Sequence, residues 1–185
     1  MLKSLLPADI EFSTLEIWQQ DETRVGQQGS LSRIWAPTGT RPRKVRQQQF
    51  ISTYIYGATC AQTGDSFALV MPYTNTTTMQ LYLCELSKYV PKDKHIALLM
   101  DNAGWHIAKE LAVPKNITLV PLPSYAPELN TMEQVWQWIK QHYLSNCCYE
   151  NYEDLVTKVC NAWNQFTQQL GLVQSLCFRD WIRTP

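Results

Sequence analysis

The stretch HIALLMDNAGWH (95–106) runs five apolar residues, 96–100, straight into Asp101 and an Asn-Ala-Gly turn. A strand with one wet face alternates; a strand apolar at every position is covered on both faces. A second such run, NITLVPLP (116–123), follows, and the intervening WHIAKEL reads as a short helix. Strands buried in this way belong to a sheet with helices on each side. In such sheets, ligands and reacting groups gather beyond the carboxyl ends of the parallel strands. Asp101 stands at that end of its strand.

The upstream sequence supplies the other half of a sheet. A strand is expected over residues 15–22, then a basic, turn-rich excursion over 24–48. FISTYIYGATC (50–60) and SFALVMPY (66–73) are β-branched and aromatic runs separated by a turn, so the three strands form an antiparallel meander. TTTMQLYLCELSKYV (76–90) places Met79, Leu83, Leu86 and Val90 at helical spacing, with threonines to cap it. MEQVWQWIKQHYL (132–144) is an amphipathic helix with Met132, Val135, Trp136, Ile139 and Tyr143 on one face; Trp138 falls off that face. YEDLVTKVCNAWNQF (152–166) is another, and the tail is short and mixed. The order β-β-β-α-β-α-β-α-α predicts an α/β fold. Its mixed five-stranded sheet has three antiparallel strands, then two parallel ones, with helices on its flanks. At 185 residues this is one domain, 1–185.

Composition excludes several classes. Apolar residues make up 45% of the chain, enough for a sizeable core. No apolar run approaches the ~20 residues that span a bilayer. Pro7, Asp9 and Glu11 break the N-terminal apolar stretch, which makes it a poor signal peptide, so a soluble cytoplasmic protein is expected. Six cysteines form no C-x-x-C pair and have no His at zinc-finger spacing, so they read as reduced core thiols. Net charge is zero, yet residues 24–46 carry Arg24, Arg33, Arg41, Arg43, Lys44 and Arg46 with no acid among them. Such a stretch either tracks phosphates or is a solvated hairpin.

Two further acids stand in places comparable to that of Asp101. Asp21 is expected at the end of the first strand, on the face of Leu15 and Ile17, with Glu22 turned the other way. A carboxylate on a largely apolar face is costly unless it is paired or binds a metal. Glu133 opens the amphipathic helix at the edge of its buried stripe. Each has a plainer reading. Asn130-Thr-Met-Glu133 is also a capping box, Asp101-Asn102-Ala103-Gly104 also an Asx turn, and Asp21-Glu22 also strand-end charge. His106 reads more readily as a hydrogen-bonded structural histidine than as a ligand or base. Together, three carboxylates without a Cys or His cluster suit hard cations such as Mg²⁺. Two such ions about 3.5–4 Å apart can activate a water and stabilise the leaving oxygen of a phosphodiester.

Three segments, QQDETRVGQQGSLSRIWAPTGTRP (19–42), LLMDNAGWH (98–106) and LPSYAPELNTMEQVWQWIK (122–140), resemble in order the catalytic domain of mariner-type transposases, and within them the bacterial insertion-sequence 630 branch. The likeness runs from residue 15 to the final FRDWI. The third segment is the most specific, since the family reads there as Leu-Pro-Pro-Tyr-Ser-Pro-Glu-Leu-Asn-Pro-Ile-Glu before an aromatic-rich helix. This sequence has Asn102 where Gly is common, Ala126 for Ser and Thr131 for Pro. Thirty-one residues separate Asp101 from Glu133, short of the commonest family spacing.

The resemblance implies a ribonuclease-H-like fold and an Asp-Asp-Glu metal site made of Asp21, Asp101 and Glu133, holding Mg²⁺ or Mn²⁺, two ions in the reaction. Asn102, His106 and Asn130 are candidates for its support. It implies hydrolysis at transposon ends, then attack of the freed 3′-hydroxyl on target DNA, usually at a TA dinucleotide. It places a hairpin after the first Asp near DNA or a partner subunit, so Arg24, Arg33, Arg41, Arg43, Lys44 and Arg46 become candidate DNA contacts. A homodimer on paired DNA ends and a bacterial, nucleoid-associated location go with it. Full transposases of this kind carry helix-turn-helix modules ahead of the catalytic domain. Only twenty residues precede Asp21, so the expectation is the catalytic half alone, with end recognition from a separate helix-turn-helix subunit or a fused form. Two other readings use the same residues: a nuclease of this fold without strand transfer, and a catalytically silent DNA-binding module derived from a transposase.

Overall fold

A computed structural model describes residues 6–7, 10–29, 35–40, 43, 45–104, 110–123 and 129–179. Five strands form one sheet: β1 (Leu15–Gly26), β2 (Ser52–Cys60), β3 (Ser66–Met71), β4 (His95–Met100) and β5 (Ile117–Pro121). Their spatial order is β3-β2-β1-β4-β5. β1 pairs antiparallel with β2, and β2 with β3; β1–β4 and β4–β5 are parallel. This is the mixed sheet that the sequence predicts. All six residues of β4 are buried, as its unbroken apolar run requires.

Helices cover both faces. On one side α1 (Thr76–Tyr89) sets Met79, Tyr82, Leu83 and Leu86 against Trp18, Tyr56, Leu98 and Met100. On the other, α2 (Met132–Ile139), α3 (Tyr152–Thr167) and α4 (Leu172–Cys177) close over β2 and the neighbouring strands, with Val135, Trp136, Val159, Trp163 and Phe166 in the core. Along β1 the alternation is clean: Trp18 joins the α1 side, while Ile17 packs with Ala97 and Leu99 on the opposite side. The described residues include no helix long and apolar enough to cross a membrane. All six cysteines are free.

Several boundaries differ from expectation, each for a physical reason. β1 continues to Gly26 because its ladder with β2 runs on to Gly26↔Ser52, so the basic excursion begins at residue 27 and Asp21 lies inside the strand. The cap of α1 is Asn75, not a threonine: Asn75 Oδ1 accepts from the Thr78 N–H at 2.9 Å, and Thr78 Oγ1 accepts from the Asn75 N–H at 3.1 Å. The helix expected over 132–144 changes to a π-helical turn at Lys140–Leu144. The wider turn brings Leu144 rather than Tyr143 into the core. The tail contains α4, entered through Gly171 at φ 75°. The helix expected at 105–111 falls mostly outside the described residues. Replacing Asn75 by Ala removes one half of a reciprocal cap and is expected to cost about 1 kcal/mol in urea unfolding, with the fold unchanged by circular dichroism.

Candidate active site

The parallel register places the first two acids. Gln19 pairs with Leu99, so two residues further on Asp21 comes level with Asp101, one step past the end of β4. Alternation puts Ile17, Gln19 and Asp21 on one face of β1 and Ala97, Leu99 and Asp101 on the same face of β4. Asp101 is exposed, and its Oδ1 accepts from the Ala103 N–H at 2.9 Å, the Asx turn expected of it. Asn102 Nδ2 donates to the Leu122 carbonyl at 2.9 Å and stitches this turn to the end of β5.

Asp21 is half-buried, and Trp136 Nε1–H donates to its Oδ2 at 3.0 Å. Burial pushes its carboxyl up from 3.8 to about 7. The charges of Glu22 and Asp101 push the same way, while the Glu22 backbone N–H and the Trp136 indole pull it down. Among the described residues no Lys or Arg forms an ion pair with Asp21.

Glu133 is exposed in the first turn of α2 and lines a cleft of about 720 Å³ with Asp21, Glu22, Trp136 and Lys140. The Asn130–Glu133 capping box does not form. Asn130 Oδ1 accepts from the Met132 N–H at 3.1 Å, and its Nδ2 donates to the Gln20 carbonyl at 3.2 Å, but Glu133 makes no cap bond. Asn130 therefore ties the start of the helix to β1 beside Asp21. Among the described residues no three His, Cys, Asp or Glu side chains stand close enough to hold a metal ion together. Asp21 and Asp101 are neighbours, Glu133 shares the cleft of Asp21, and the three do not converge on one point.

Sequence reasoning missed two participants. Gln19, 2% exposed, takes the Thr131 N–H at 3.1 Å and the Thr131 hydroxyl on its Oε1, and its Nε2 donates to the Leu129 carbonyl at 3.3 Å. The signal was a glutamine two positions before Asp21 on an otherwise apolar face. Lys140 stands seven residues after Glu133, two turns along the same helical rod, and its Nζ donates to Thr23 Oγ1 at 2.5 Å. Burial lowers the pKa of its ammonium, and the charge of Asp21 opposes that.

The basic residues are scattered along the cleft and the β1–β2 connection. Arg24 lies on β1 opposite Tyr54, exposed, and lines a second hollow of about 230 Å³ that shares Lys140 with the first. Arg43 and Arg46 are exposed in the connection between β1 and β2. That connection is fastened at its root: Gln27 and Gln47 each donate to the Tyr149 carbonyl, at 3.0 and 2.7 Å. Arg33, Arg41, Lys44 and His106 lie outside the described residues.

Residues 16–156 match the family model described as DDE superfamily endonuclease. The chain belongs to this family. The family is one of endonucleases, so membership makes the chain an enzyme of the nuclease class. It is 43% identical over 128 residues to the uncharacterized protein y4pE/y4sA of Sinorhizobium fredii (strain NBRC 101917 / NGR234), covering 69% of this chain and 95% of that one. Its fold is that of the mariner Mos1 paired-end complex with Mg, with TM-score 0.65, 18% identity, and coverage of 88% of this chain and 51% of the other. A Mos1 strand transfer complex matches with TM-score 0.63 and 16% identity, over 88% of this chain and 50% of that one. The catalytic core of BIV integrase matches with TM-score 0.52 and 18% identity, over 84% and 86% of the two chains. The DDE family chain spans about half the length of the Mos1 chains it matches.

Two outcomes follow from this geometry. Thr131→Pro restores the commoner family residue but removes both donors to buried Gln19 Oε1, so it is expected to destabilise the chain by about 1–3 kcal/mol in urea unfolding. The second concerns pH. Folded Asp21 keeps its proton up to about pH 7, whereas the unfolded chain loses it near 3.8. The folded state thus binds the extra proton between those values, and stability falls as the pH rises through that window. Asp21→Asn carries no titrating proton. In chelator, its melting temperature relative to the parent should rise between about pH 4 and pH 7 and then level off, as a thermal-melt series would read.

Proposed function

We propose that this chain is the catalytic domain of a transposase. In this reading the neighbouring Asp21 and Asp101, with Glu133 from the shared cleft, would hold Mg²⁺ or Mn²⁺, two ions in the reaction, and the domain would cut DNA at transposon ends and direct the freed 3′-hydroxyl onto target DNA. The observation that carries the reading is the β1–β4 register, which sets Asp21 beside Asp101 at the carboxyl edge of the sheet. The matched structures support it, since the Mos1 complexes include a strand transfer complex and paired-end complexes with Mn and with Mg.

The residues suit hard cations. All three donors are carboxylates. Asp21 is held half-buried against the charges of Glu22 and Asp101, an arrangement that a bound divalent cation relieves. When bound, such ions lower the pKa of an attacking water or hydroxyl and neutralise charge on the phosphate. The chain's own groups do the rest. Trp136 and Asn130 fix Asp21 and the start of α2 relative to each other. Lys140 presents its ammonium to the cleft, where it can take a phosphate oxygen. Arg24, Arg43 and Arg46, with Arg33, Arg41 and Lys44 of the same stretch, supply the cations for the backbone of the DNA. A dimer on paired ends, with sequence recognition by a helix-turn-helix subunit or fused segment, completes the assembly.

A nuclease that does not join strands uses the same acids, so products separate the two. On a supercoiled plasmid with Mn²⁺, the wild-type chain is expected to nick. Asp101→Asn should slow nicking by about a hundredfold or more, because metal-borne charge stabilisation is worth several kcal/mol. Addition of a pre-cut transposon-end duplex should give joined products; nicks without joining favour the nuclease, and nicking that survives Asp101→Asn refutes the site.

A further inference from the structure

The indole of Trp136 links two of the three acids through one helix. It stands three residues after Glu133 on α2, a spacing that makes two side chains neighbours on the helix surface. Its N–H donates to Asp21 at 3.0 Å. Its ring, 4% exposed, lies over β2 at Gly57, which is the residue opposite Asp21 in the β1–β2 ladder. A Cβ on Gly57 would stand 2.4 Å from the Trp136 Cη2 and 3.0 Å from its Cζ2. The indole also meets the ring of Trp163 from α3, centroids 5.8 Å apart. The seat of the indole is therefore defined by a missing side chain below it and an aromatic neighbour on α3, and its one polar atom points at a carboxylate. A buried tryptophan needs a partner for its N–H. Spending that bond on a half-buried acid, when backbone carbonyls are plentiful, does more than fill a core.

We infer that Trp136 is a positioning residue for Asp21. Its N–H holds one carboxylate oxygen and so fixes how Asp21 presents itself to a cation, and Gly57 is the glycine that admits the ring to that position. The inference rests on the reading of Asp21 as a metal ligand. Because Glu133 and Trp136 share α2, a displacement of that helix moves the third acid and the clamp on the first together.

The test is calorimetric titration of the full chain with Mn²⁺, with the indole ¹H–¹⁵N signals followed during a Mg²⁺ titration. Wild type is expected to bind and Asp21→Asn to lose binding. Trp136→Phe keeps a ring in the seat and deletes the donor; its Kd for Mn²⁺ should rise about tenfold, the size of a lost hydrogen bond to a charged group. Gly57→Ala keeps the indole but displaces it, and should raise Kd in the same direction. The Trp136 indole signal, identified by its loss in Trp136→Phe, should shift with Mg²⁺ in wild type and not in Asp21→Asn; a purely structural tryptophan gives no such coupling. Nicking by Trp136→Phe should recover as metal is raised, which a folding defect would not allow. A wild-type Kd in Gly57→Ala, with every indole signal indifferent to Mg²⁺, overturns the role of Trp136 even where Trp136→Phe fails to fold. Absent Mn²⁺ binding in wild type, or binding untouched by Asp21→Asn, overturns the metal site itself and this inference with it.

Discussion

The central strand β1 is the constraint on which the rest depends. Its twelve residues pair parallel with β4 over Leu15–Gln19 and antiparallel with β2 over Trp18–Gly26. One of its faces grades from Ile17 through Gln19 to Asp21, from apolar to polar to charged. A buried strand tolerates such a gradient only when each polar group meets a partner. Gln19 meets Thr131 and Leu129, and Asp21 meets Trp136. All these partners come from the segment that begins α2. The need to satisfy polar groups on β1 thus draws the Glu133-bearing helix over the site.

The same need explains why the acids gather at one edge. Parallel strands end together, and β4 stops at Met100 because Asp101 leads into a turn closed by its own side chain and tied to β5 by Asn102. β1 has no reason to stop there, since β2 continues to pair with it as far as Gly26. Asp21 is consequently enclosed within a strand while Asp101 is at a free end. This difference in enclosure is why burial raises the pKa of Asp21 so far.

The strands and the two long amphipathic helices were legible because each carries its own period. β4 declared itself by an unbroken apolar run, and α3 by Leu155, Val159, Ala162 and Phe166. The ends were less legible. The extent of β1 is set by a partner strand some thirty residues away, and the cap of α1 fell to Asn75 when three threonines stood beside it. A local pattern also cannot announce a π-helical turn, which here passes the core position from Tyr143 to Leu144. For the site, the three acids stood out through their motifs, whereas the groups that hold them did not. The bonds Gln19–Thr131, Gln20–Asn130, Asp21–Trp136 and Thr23–Lys140 each span more than a hundred residues, and no window of sequence contains both ends.

That lattice of long-range bonds also settles a local ambiguity. Asn130 and Glu133 have the spacing of a capping box, in which the glutamate turns back to the helix start. In the fold, Asn130 satisfies the Met132 N–H and the Gln20 carbonyl, and Gln19 takes the Thr131 N–H. The N-terminus of α2 is thereby capped and anchored from β1. A proline at 131 would have no N–H to offer Gln19, so the pairing of Gln19 with Thr131 gives this chain's departure from the family pattern a structural partner. Relieved of capping, Glu133 projects into the cleft from the positive end of the helix dipole, with its carboxylate available. The departure at 131 and the freedom of Glu133 belong to one arrangement: Gln19 of β1 takes the Thr131 N–H and Asn130 takes the Met132 N–H, so the start of α2 is held without a bond from Glu133.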